Sequence, residues 1–180
     1  MSASRADSDR PRLRVRAAVS GRPRSTVSTG LAVLDHLIAL LARYASLDIA
    51  LEVEPGAASD EVAAAGRALG DALAASLRAP GVRGHGSSAV PADEALAHVA
   101  LEASGRPLVV SNVDLSEARV GGLDTDVVAE FLRQLAEGAG LTLHVRLIEG
   151  RDPQHVLEAI FKALGVALAQ AARPRPPGKE

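Results

Sequence analysis

The second half of this 180-residue chain repeats the pattern of the first half, and this repetition restricts the fold more than any other feature. The segment Ala68–Leu73 matches Ala163–Leu168 at five of six positions. At almost the same offset, Leu47–Leu51 and Leu141–Val145 both alternate in the way of β-strands. Each half therefore predicts the same order of helix, turn, strand, loop and helix. We interpret the chain as one domain built from a duplicated α+β unit.

The predicted fold class is α+β, a duplicated β-β-α-β-α unit in which mixed sheets are backed by helices. We place the single domain at residues 13–172, with repeats at 13–90 and 91–172, and predict disordered tails at 1–12 and 173–180. The predicted long helices are Leu31–Ala45, Ser59–Arg78, Asp126–Glu137 and Pro153–Ala172. The predicted strands are Leu13–Val19, Asp48–Glu54, Ala95–Glu102, Leu108–Val113 and Leu141–Leu147.

Composition excludes several classes of protein. The chain is 47% hydrophobic with two Phe, one Tyr and no Trp, so it can bury a sizeable core and that core must be aliphatic. Because there is no cysteine, disulfides and thiol chemistry are excluded, and a reducing, cytoplasmic setting is compatible. We find no apolar run long enough to span a bilayer, and the first ten residues lack the apolar core of a secretory signal. We therefore expect a soluble protein with no membrane partner.

Charge is separated between the ends and the body of the chain. Residues 1–24 carry seven Arg and two Asp, and residues 173–180 carry three Lys or Arg and one Glu. Residues 25–172 carry ten Lys or Arg and nineteen Asp or Glu. Basic ends can contact nucleic acid, anionic ligands or the acidic face of a neighbouring subunit. The acidic, aromatic-poor body offers no surface on which bases could stack, so a nucleic-acid partner is not expected.

One segment near the C-terminus combines a helix start with two side chains suited to chemistry. Asp152 is predicted to cap this helix and Pro153 to occupy its first position. His155 and Glu158 then lie three residues apart on one face. This spacing suits two metal ligands or an acid–base pair, which makes both residues catalytic candidates. A solvated polar face has the same spacing, and the pair alone does not separate the two interpretations.

Five sequence blocks resemble the imidazoleglycerol-phosphate dehydratase family of histidine biosynthesis, in the family's order and at its spacing. The blocks are Ser28–Leu37, Val90–Ala97, Ser104–Pro107, Leu141–His144 and His155–Ala163. The resemblance implies a fold of the ribosomal S5 domain 2-like kind and trimers that assemble into a hollow octahedral shell of 24 subunits. It also implies two manganese ions between subunits, on which the substrate's imidazole docks as imidazolate. A C–H beside the ring is then deprotonated and the neighbouring hydroxyl is expelled.

The metal ligands that the resemblance implies are only partly kept. Asp35 and His36 of the first long helix match the family. The family's first His-His-x-x-Glu block falls on Ser59–Ala63, where both histidines and the carboxylate are absent. The last such block falls on Gln154–Glu158 and is one histidine short. Loss of one complete block predicts that the dinuclear site is crippled or empty.

The resemblance leaves a reduced set of candidate site residues. His36, His155 and Glu158 survive as such, while Glu130 replaces a histidine and Asp60 is a second carboxylate that offers an oxygen donor. The candidate metal ligands are therefore His36, Asp60, Glu130, His155 and Glu158. These imidazole and carboxylate donors suit one Mn²⁺, Fe²⁺ or Zn²⁺, and an empty site is the other outcome we consider.

Sequence elements that contact the phosphorylated substrate in the family are also replaced or missing. The N-terminal Glu-Thr block is replaced around Arg10–Arg12, and the C-terminal Ser-x-Lys-Gly phosphate clamp is missing. Arg106 and Lys162 remain as candidates for binding a small phosphorylated ligand, since cationic side chains form charge-assisted hydrogen bonds with phosphate. A surface ion pair is the alternative role for Arg106.

Four hypotheses about function follow from these observations. The first is a catalytically degenerate homologue that keeps the fold and a homo-oligomeric assembly, a trimer or a multiple of it. The second is a diverged metal-dependent lyase that acts on another small phosphorylated molecule. The third is the ordinary dehydratase, a hydro-lyase, with its ligands compensated from elsewhere. The fourth is a particle that displays its basic tails to nucleic acid, which steep salt dependence of binding would reveal.

Overall fold

A computed structural model describes residues 16–19, 25–53, 56–114 and 118–177, which form four helices and nine strands. The helices are α1 (Ala32–Ala45), α2 (Ala58–Leu77), α3 (Thr125–Ala139) and α4 (Pro153–Ala172). The strands are β1 (Arg16–Val19), β2 (Thr26–Ser28), β3 (Leu47–Glu52), β4 (His85–Ala92), β5 (Ala95–Glu102), β6 (Leu108–Ser111), β7 (Arg119–Val120), β8 (Leu123–Asp124) and β9 (Thr142–Glu149).

The two main sheets repeat one arrangement. In the first sheet the order is β1-β3-β2, with β1 antiparallel and β2 parallel to β3. In the second sheet the order is β4-β5-β9-β6, with β5 antiparallel and β6 parallel to β9. The strands β1, β2 and β3 therefore correspond to β5, β6 and β9, and α1 and α2 correspond to α3 and α4. The predicted α+β fold with mixed sheets backed by helices is confirmed.

Close contacts between helices follow the same duplication. A side chain at Gly165 of α4 would approach the backbone oxygen of Leu41 in α1 to 2.5 Å. At Gly70 of α2, the matching position, a side chain would overlap the backbone oxygen of Leu135 in α3. Since glycine has no Cβ, each helix pair packs backbone against backbone at this point. The helix of one repeat thus packs on a helix of the other, which joins the repeats in one core.

That core is aliphatic, as composition predicts. Alanine, valine, leucine and isoleucine make up nearly all of the buried hydrophobic residues, and both Phe residues are fully buried. The rings of Phe131 in α3 and Phe161 in α4 lie 5.4 Å apart, centroid to centroid, at an angle of 33°. Such tilted pairs add about 0.5–1.5 kcal/mol to the burial of their area. The aromatic pair therefore joins the last two helices at the centre of the domain.

The predicted helices match the observed ones within two residues at each end, and Ala95–Glu102 matches β5 at both ends. The predicted strand at 108–113 ends earlier, at Ser111, and residues 13–15 of the first predicted strand lie outside the described residues. The strands β2, β4, β7 and β8 were missed. In β4 the sequence HGSSAVPA has weak strand propensity, and the strand is fixed by its antiparallel register with β5 across a turn at Asp93 and Glu94.

Two features of the chain's last segment concern the sequence-based expectations. α4 is a 20-residue helix that contains an apolar window of 18 residues with a mean hydropathy of 1.3. By length and composition alone it could span a bilayer, whereas we expected no apolar run of that length. About three fifths of that apolar window is buried inside the domain, which is the pattern of a core helix. Beyond α4, within the predicted tail, the N–H of Arg175 donates to the oxygen of Gly81 at 2.6 Å, and that of Arg83 to the oxygen of Arg173 at 2.8 Å. The domain limits proposed above stay a prediction.

Candidate functional site

The start of α4 is built as the sequence predicts. The Asp152 carboxylate accepts hydrogen bonds from the N–H groups of Gln154 at 2.8 Å and His155 at 3.4 Å, and Pro153 occupies the first turn. This cap fixes the direction in which the first turn projects its side chains. His155 and Glu158 consequently leave the helix at fixed positions near its N-terminus.

The start of α1 is fixed in a comparable way. The Asp35 carboxylate accepts hydrogen bonds from the N–H of Thr29 at 2.8 Å and from its hydroxyl at 2.6 Å. Thr29 is fully buried, so this bonded turn is part of the domain interior. The next residue, His36, has its side chain about half exposed and directed towards α4. Asp35 therefore ties the start of α1, the helix that carries His36, to the buried Thr29.

The central contact of the site joins the two repeats. His36 Nε2 lies 3.0 Å from Glu158 Oε1, and the Gln154 amide donates to the same carboxylate oxygen at 3.1 Å. Burial acts to raise the pKa of Glu158, but hydrogen bonds from Gln154 and His36, with the charge of Lys162, outweigh burial and hold that pKa below its ordinary value. The carboxylate is therefore ionised at neutral pH and already bonded by two side chains of its own chain.

The other imidazole of the candidate set has separate partners. His155 Nδ1 lies 2.5 Å from Glu94 Oε2, and His155 Nε2 lies 3.4 Å from Asp93 Oδ2. The second Glu94 oxygen accepts the N–H groups of Asp152 at 2.9 Å and Arg151 at 3.3 Å. Both ring nitrogens of His155 thus face carboxylates of the β4–β5 turn. Glu94 lies in the block Val90–Ala97 but was not among the predicted site residues.

These contacts lower the pKa of Glu94 and raise the pKa of His155. The hydrogen bond from the Asp152 backbone, followed by that from His155, lowers the pKa of Glu94 from 4.5 to about 2. The hydrogen bond to Glu94 raises the pKa of His155 above 6.5. The pair is therefore a charged imidazolium–carboxylate contact over a range of mildly acidic pH.

We expect the Glu94→Gln substitution to lower the free energy of unfolding more at about pH 5.5 than at about pH 8.5. The lowered Glu94 pKa means that its contacts stabilise the fold above 4.5, and that this stabilisation is lost as the pH falls towards 2. The raised His155 pKa means that the imidazolium contribution is complete below 6.5 and is lost as the pH rises through the raised value. Urea unfolding at both pH values measures the difference. Glu137→Gln, which alters an exposed carboxylate of α3, is the control, and an equal effect at both pH values for Glu94→Gln would contradict this account.

The two oxygen-donor candidates lie elsewhere. The Glu130 carboxylate in α3 accepts a hydrogen bond from the Gln134 amide at 2.8 Å and forms an ion pair with Arg133. Asp60 is exposed in the first turn of α2. Its neighbour Glu61 is the buried residue of that turn, and its carboxylate accepts the N–H of Gly56. Neither Glu130 nor Asp60 joins His36 and Glu158 in the contacts described.

The donor side chains in the described part of one chain do not fit a divalent metal centre. Within the described ranges, no three histidine or carboxylate side chains come together as a group that could hold a metal ion. His36 and Glu158 supply two donors, whereas protein sites for zinc use three or four and hard cations need more. His155, the third expected donor, is turned to the β4–β5 turn. The described side chains of a single protomer therefore do not form the metal centre that the family resemblance implies.

Beside the His36–Glu158 contact lies a cavity of about 230 Å³. Most of its lining is apolar, and the polar residues His36 and Gln154 lie on one side. The lining residues are Ala32, Val33, His36, Leu37, Val120, Gly121, Gln154 and Leu157. Such a cavity suits a small ligand with an apolar body and one polar end.

The two candidate phosphate-binding residues are not brought together by any contact described. The Lys162 ammonium lies 5.8 Å from the ring centroid of Tyr44, a cation–π contact between α4 and α1. Arg106 is exposed on the loop before β6, where its N–H donates to the Ser104 hydroxyl at 3.1 Å. Lys162 lies close enough to Glu158 for its charge to act on that carboxylate, while the described contacts of Arg106 are with the loop at Ser104 and with Thr142.

The repeated strand order and the contact between α1 and α4 define the class: a duplicated α+β protein whose candidate site lies where the two repeats meet. The model of the imidazoleglycerol-phosphate dehydratase family matches residues 29–168. This chain is 40% identical over 163 residues to the imidazoleglycerol-phosphate dehydratase from Moorella thermoacetica. It is 39% identical over 155 residues to the one from Clostridium botulinum (strain Kyoto). The aligned regions cover 88% and 84% of this chain and 83% and 79% of those proteins. The chain belongs to the imidazoleglycerol-phosphate dehydratase family.

Solved structures agree with this assignment. The crystal structure of imidazoleglycerol-phosphate dehydratase from Staphylococcus aureus matches with a TM-score of 0.84 and 32% identity, covering 91% of this chain and 95% of that one. The structure of IGPD from Pyrococcus furiosus in complex with (S)-C348 matches with a TM-score of 0.81 and 28% identity, covering 91% and 89%. The fold is therefore that of the family over nearly the whole chain.

Proposed function

We propose that this chain is a catalytically degenerate member of its family, which keeps the fold and a homo-oligomeric assembly but lacks ordinary dehydratase activity. One observation carries the proposal: each surviving family ligand is bonded to side chains of its own chain. Glu158 is bonded to His36 and Gln154, and His155 to Glu94. We place the protein in the cytoplasm, in keeping with the absence of cysteine.

The losses in α2 support the same proposal. The family's first His-His-x-x-Glu block falls on Ser59–Ala63 in the first turn of α2, where Asp60 is exposed and Glu61 is buried against Gly56 and Gly30. Neither carboxylate of this turn reaches the His36–Glu158 contact in the contacts described. Restoring the family's number of metal ligands would require at least Ser59, Asp60, Ala63 and Gln154 to change.

Steady-state turnover of imidazoleglycerol phosphate tests the proposal. We expect kcat/KM in the presence of Mn²⁺, Fe²⁺ or Zn²⁺ to be on the order of 10³-fold or more below that of the Moorella thermoacetica relative, because a Lewis-acid metal supplies several kcal/mol and each 1.4 kcal/mol is tenfold in rate. The relative, purified and assayed in parallel, is the positive control. Turnover by this chain within about tenfold of the relative would refute the proposal and favour the ordinary dehydratase.

A second candidate is a lyase that acts on another small phosphorylated molecule. The cavity beside His36 and Gln154, together with the ionised carboxylate of Glu158, favours this alternative because a carboxylate next to an apolar cavity can serve as a general base. Lys162, near Glu158, would supply a positive charge for phosphate. Glu158→Gln should abolish any such activity while leaving the protein folded, and activity retained in that variant would exclude this role.

A further inference from the structure

The contact between His36 and Glu158 leaves more hydrogen-bond acceptors than donors beside the cavity. An ionised carboxylate only accepts, so the contact of 3.0 Å between His36 Nε2 and Glu158 Oε1 places a ring proton on Nε2. In the neutral imidazole the other ring nitrogen, Nδ1, is then an acceptor. The Gln154 amide donates to the same carboxylate oxygen at 3.1 Å. Glu158 therefore takes the ring proton of His36 and one of the amide protons of Gln154.

Three acceptor atoms at this contact have no hydrogen-bond partner among the described residues. They are His36 Nδ1, the side-chain oxygen of Gln154 and Glu158 Oε2. The second N–H of the Gln154 amide is the donor that remains with them. A ligand head that brings several donors matches this arrangement, whereas a head that only accepts would face acceptors. A hydroxyl brings one donor, but a primary amide brings two and a primary ammonium three.

The cavity beside these acceptors has apolar walls. Its volume is about 230 Å³, and Leu37, Val120 and Leu157 of its lining are 1%, 8% and 3% exposed. A dry cavity of about 150 Å³ lined by apolar side chains holds benzene. This cavity therefore has room for one ring with a short substituent, whose polar end can lie against His36 and Gln154 in the same lining.

Charge at the contact does not favour one sign of ligand. The Glu158 carboxylate is negative, but the Lys162 ammonium, one turn further along α4, acts on it with a positive charge. The Gln154 amide and the neutral imidazole of His36 carry no charge. Hydrogen-bond complementarity therefore selects the ligand. A carboxylate or phosphate head would add acceptors where one amide N–H is the donor that remains.

We propose that this cavity binds a small ligand with an apolar ring or chain and a nitrogen head group, an amine or a primary amide, whose N–H groups bond to His36, Gln154 and Glu158. The inference rests on the proposed loss of the metal centre, because a metal held by His36 and Glu158 would take the lone pairs that the ligand needs. It gives the degenerate site a binding function and a ligand that differs from the phosphorylated one of the second candidate.

Three one-ring compounds of similar size test the head group: benzylamine, benzamide and benzoate. Saturation-transfer NMR at neutral pH, with a chelator present, measures their binding to the full chain. We expect a Kd on the order of 1 mM for at least one nitrogen compound, and binding of benzoate that is weaker by about tenfold or more. Binding of benzylamine alone supports a charged amine, and binding of benzamide alone supports a neutral amide. Benzoate that binds as tightly as the better nitrogen compound would overturn the proposal, as would no binding of either nitrogen compound at about 10 mM.

Substitutions in α1 locate the ligand. Ala32→Leu enlarges a side chain of the cavity lining and should weaken binding of the nitrogen compound by about tenfold or more. Ala39→Leu makes the same change at an exposed position of α1 outside that lining and should leave binding unchanged. Equal binding by the two folded variants would contradict the proposal. If Ala32→Leu does not fold, Gln154→Met decides the case, because it removes an acceptor at an exposed position and unchanged binding would contradict the proposal.

Turnover of imidazoleglycerol phosphate, measured separately, distinguishes failure of this inference from failure of the proposed function. If neither nitrogen compound binds and turnover is absent, this inference fails and the proposed function stands. Turnover close to that of the Moorella thermoacetica relative would refute the proposed function, and with it the ligand inferred for a site without metal.

Discussion

Replacing Gly165 with alanine is expected to destabilise the domain by about 3 kcal/mol, a large part of the 5–15 kcal/mol that typically separates folded and unfolded states. The new Cβ would lie 2.5 Å from the Leu41 oxygen, 2.9 Å from the Tyr44 Cβ and 3.0 Å from the Ala45 nitrogen. Two of these three atoms belong to the backbone, so the clash is relieved only if α1 and α4 move apart. That movement would also disturb the His36–Glu158 contact between the same helices.

Urea unfolding followed by circular dichroism measures this loss. Gly56→Ala is the matched control, because a Cβ at Gly56 would meet no atom within 4 Å, and we expect it to change stability by less than about 0.5 kcal/mol. Gly70→Ala should behave like Gly165→Ala, since it occupies the corresponding position of the first repeat. Unfolding midpoints that coincide for Gly165→Ala and Gly56→Ala would show that the helices do not pack backbone against backbone here.

A variant that restores both His-His-x-x-Glu blocks of the family is expected to gain metal binding. Ser59→His, Asp60→His, Ala63→Glu and Gln154→His together should raise affinity for Mn²⁺ by about 100-fold or more, since even second-shell changes alter metal affinity by about 10- to 100-fold. The physical reason is that these four changes supply the imidazole and carboxylate donors that the described chain does not bring together around His36 and Glu158.

Calorimetric titration with Mn²⁺ measures the gain. A variant with glutamine at positions 59, 60 and 63 is the control, because it changes the same turn of α2 without adding ligands and retains Gln154. Equal Mn²⁺ affinity for the restored variant and this control would mean that missing ligands are not the reason for weak metal binding by the natural chain.

Much of the fold is predictable because its elements have strong local signals. The helices carry apolar residues at helical spacing, and Asp152 and Pro153 mark the start of α4. Strand β4 has no comparable signal, because its small and polar residues are held by the register with β5 and by the close approach of α4 at Gly86. Local propensity was overruled there by tertiary packing.

The candidate site was less accessible to sequence reasoning. His36 and Glu158 were named from the family blocks, but their contact joins residues 122 positions apart and depends on how α1 packs on α4. The turn of Asp93 and Glu94 faces His155 because β4 and β5 form a hairpin that ends beside the start of α4. Spacing along one helix places His155 and Glu158 on one face, yet it does not determine which partners they bind.

Metal content per subunit shows whether this chain has lost the metal site of its family. Protein purified without chelators or nickel affinity resin, with the Moorella thermoacetica relative purified in parallel, is measured by mass spectrometry of the metal ions. We expect well below one manganese, iron or zinc ion per subunit of this chain, because the described donors around Glu158 are bonded to each other. One or two ions per subunit would contradict it and would indicate a rebuilt metal site.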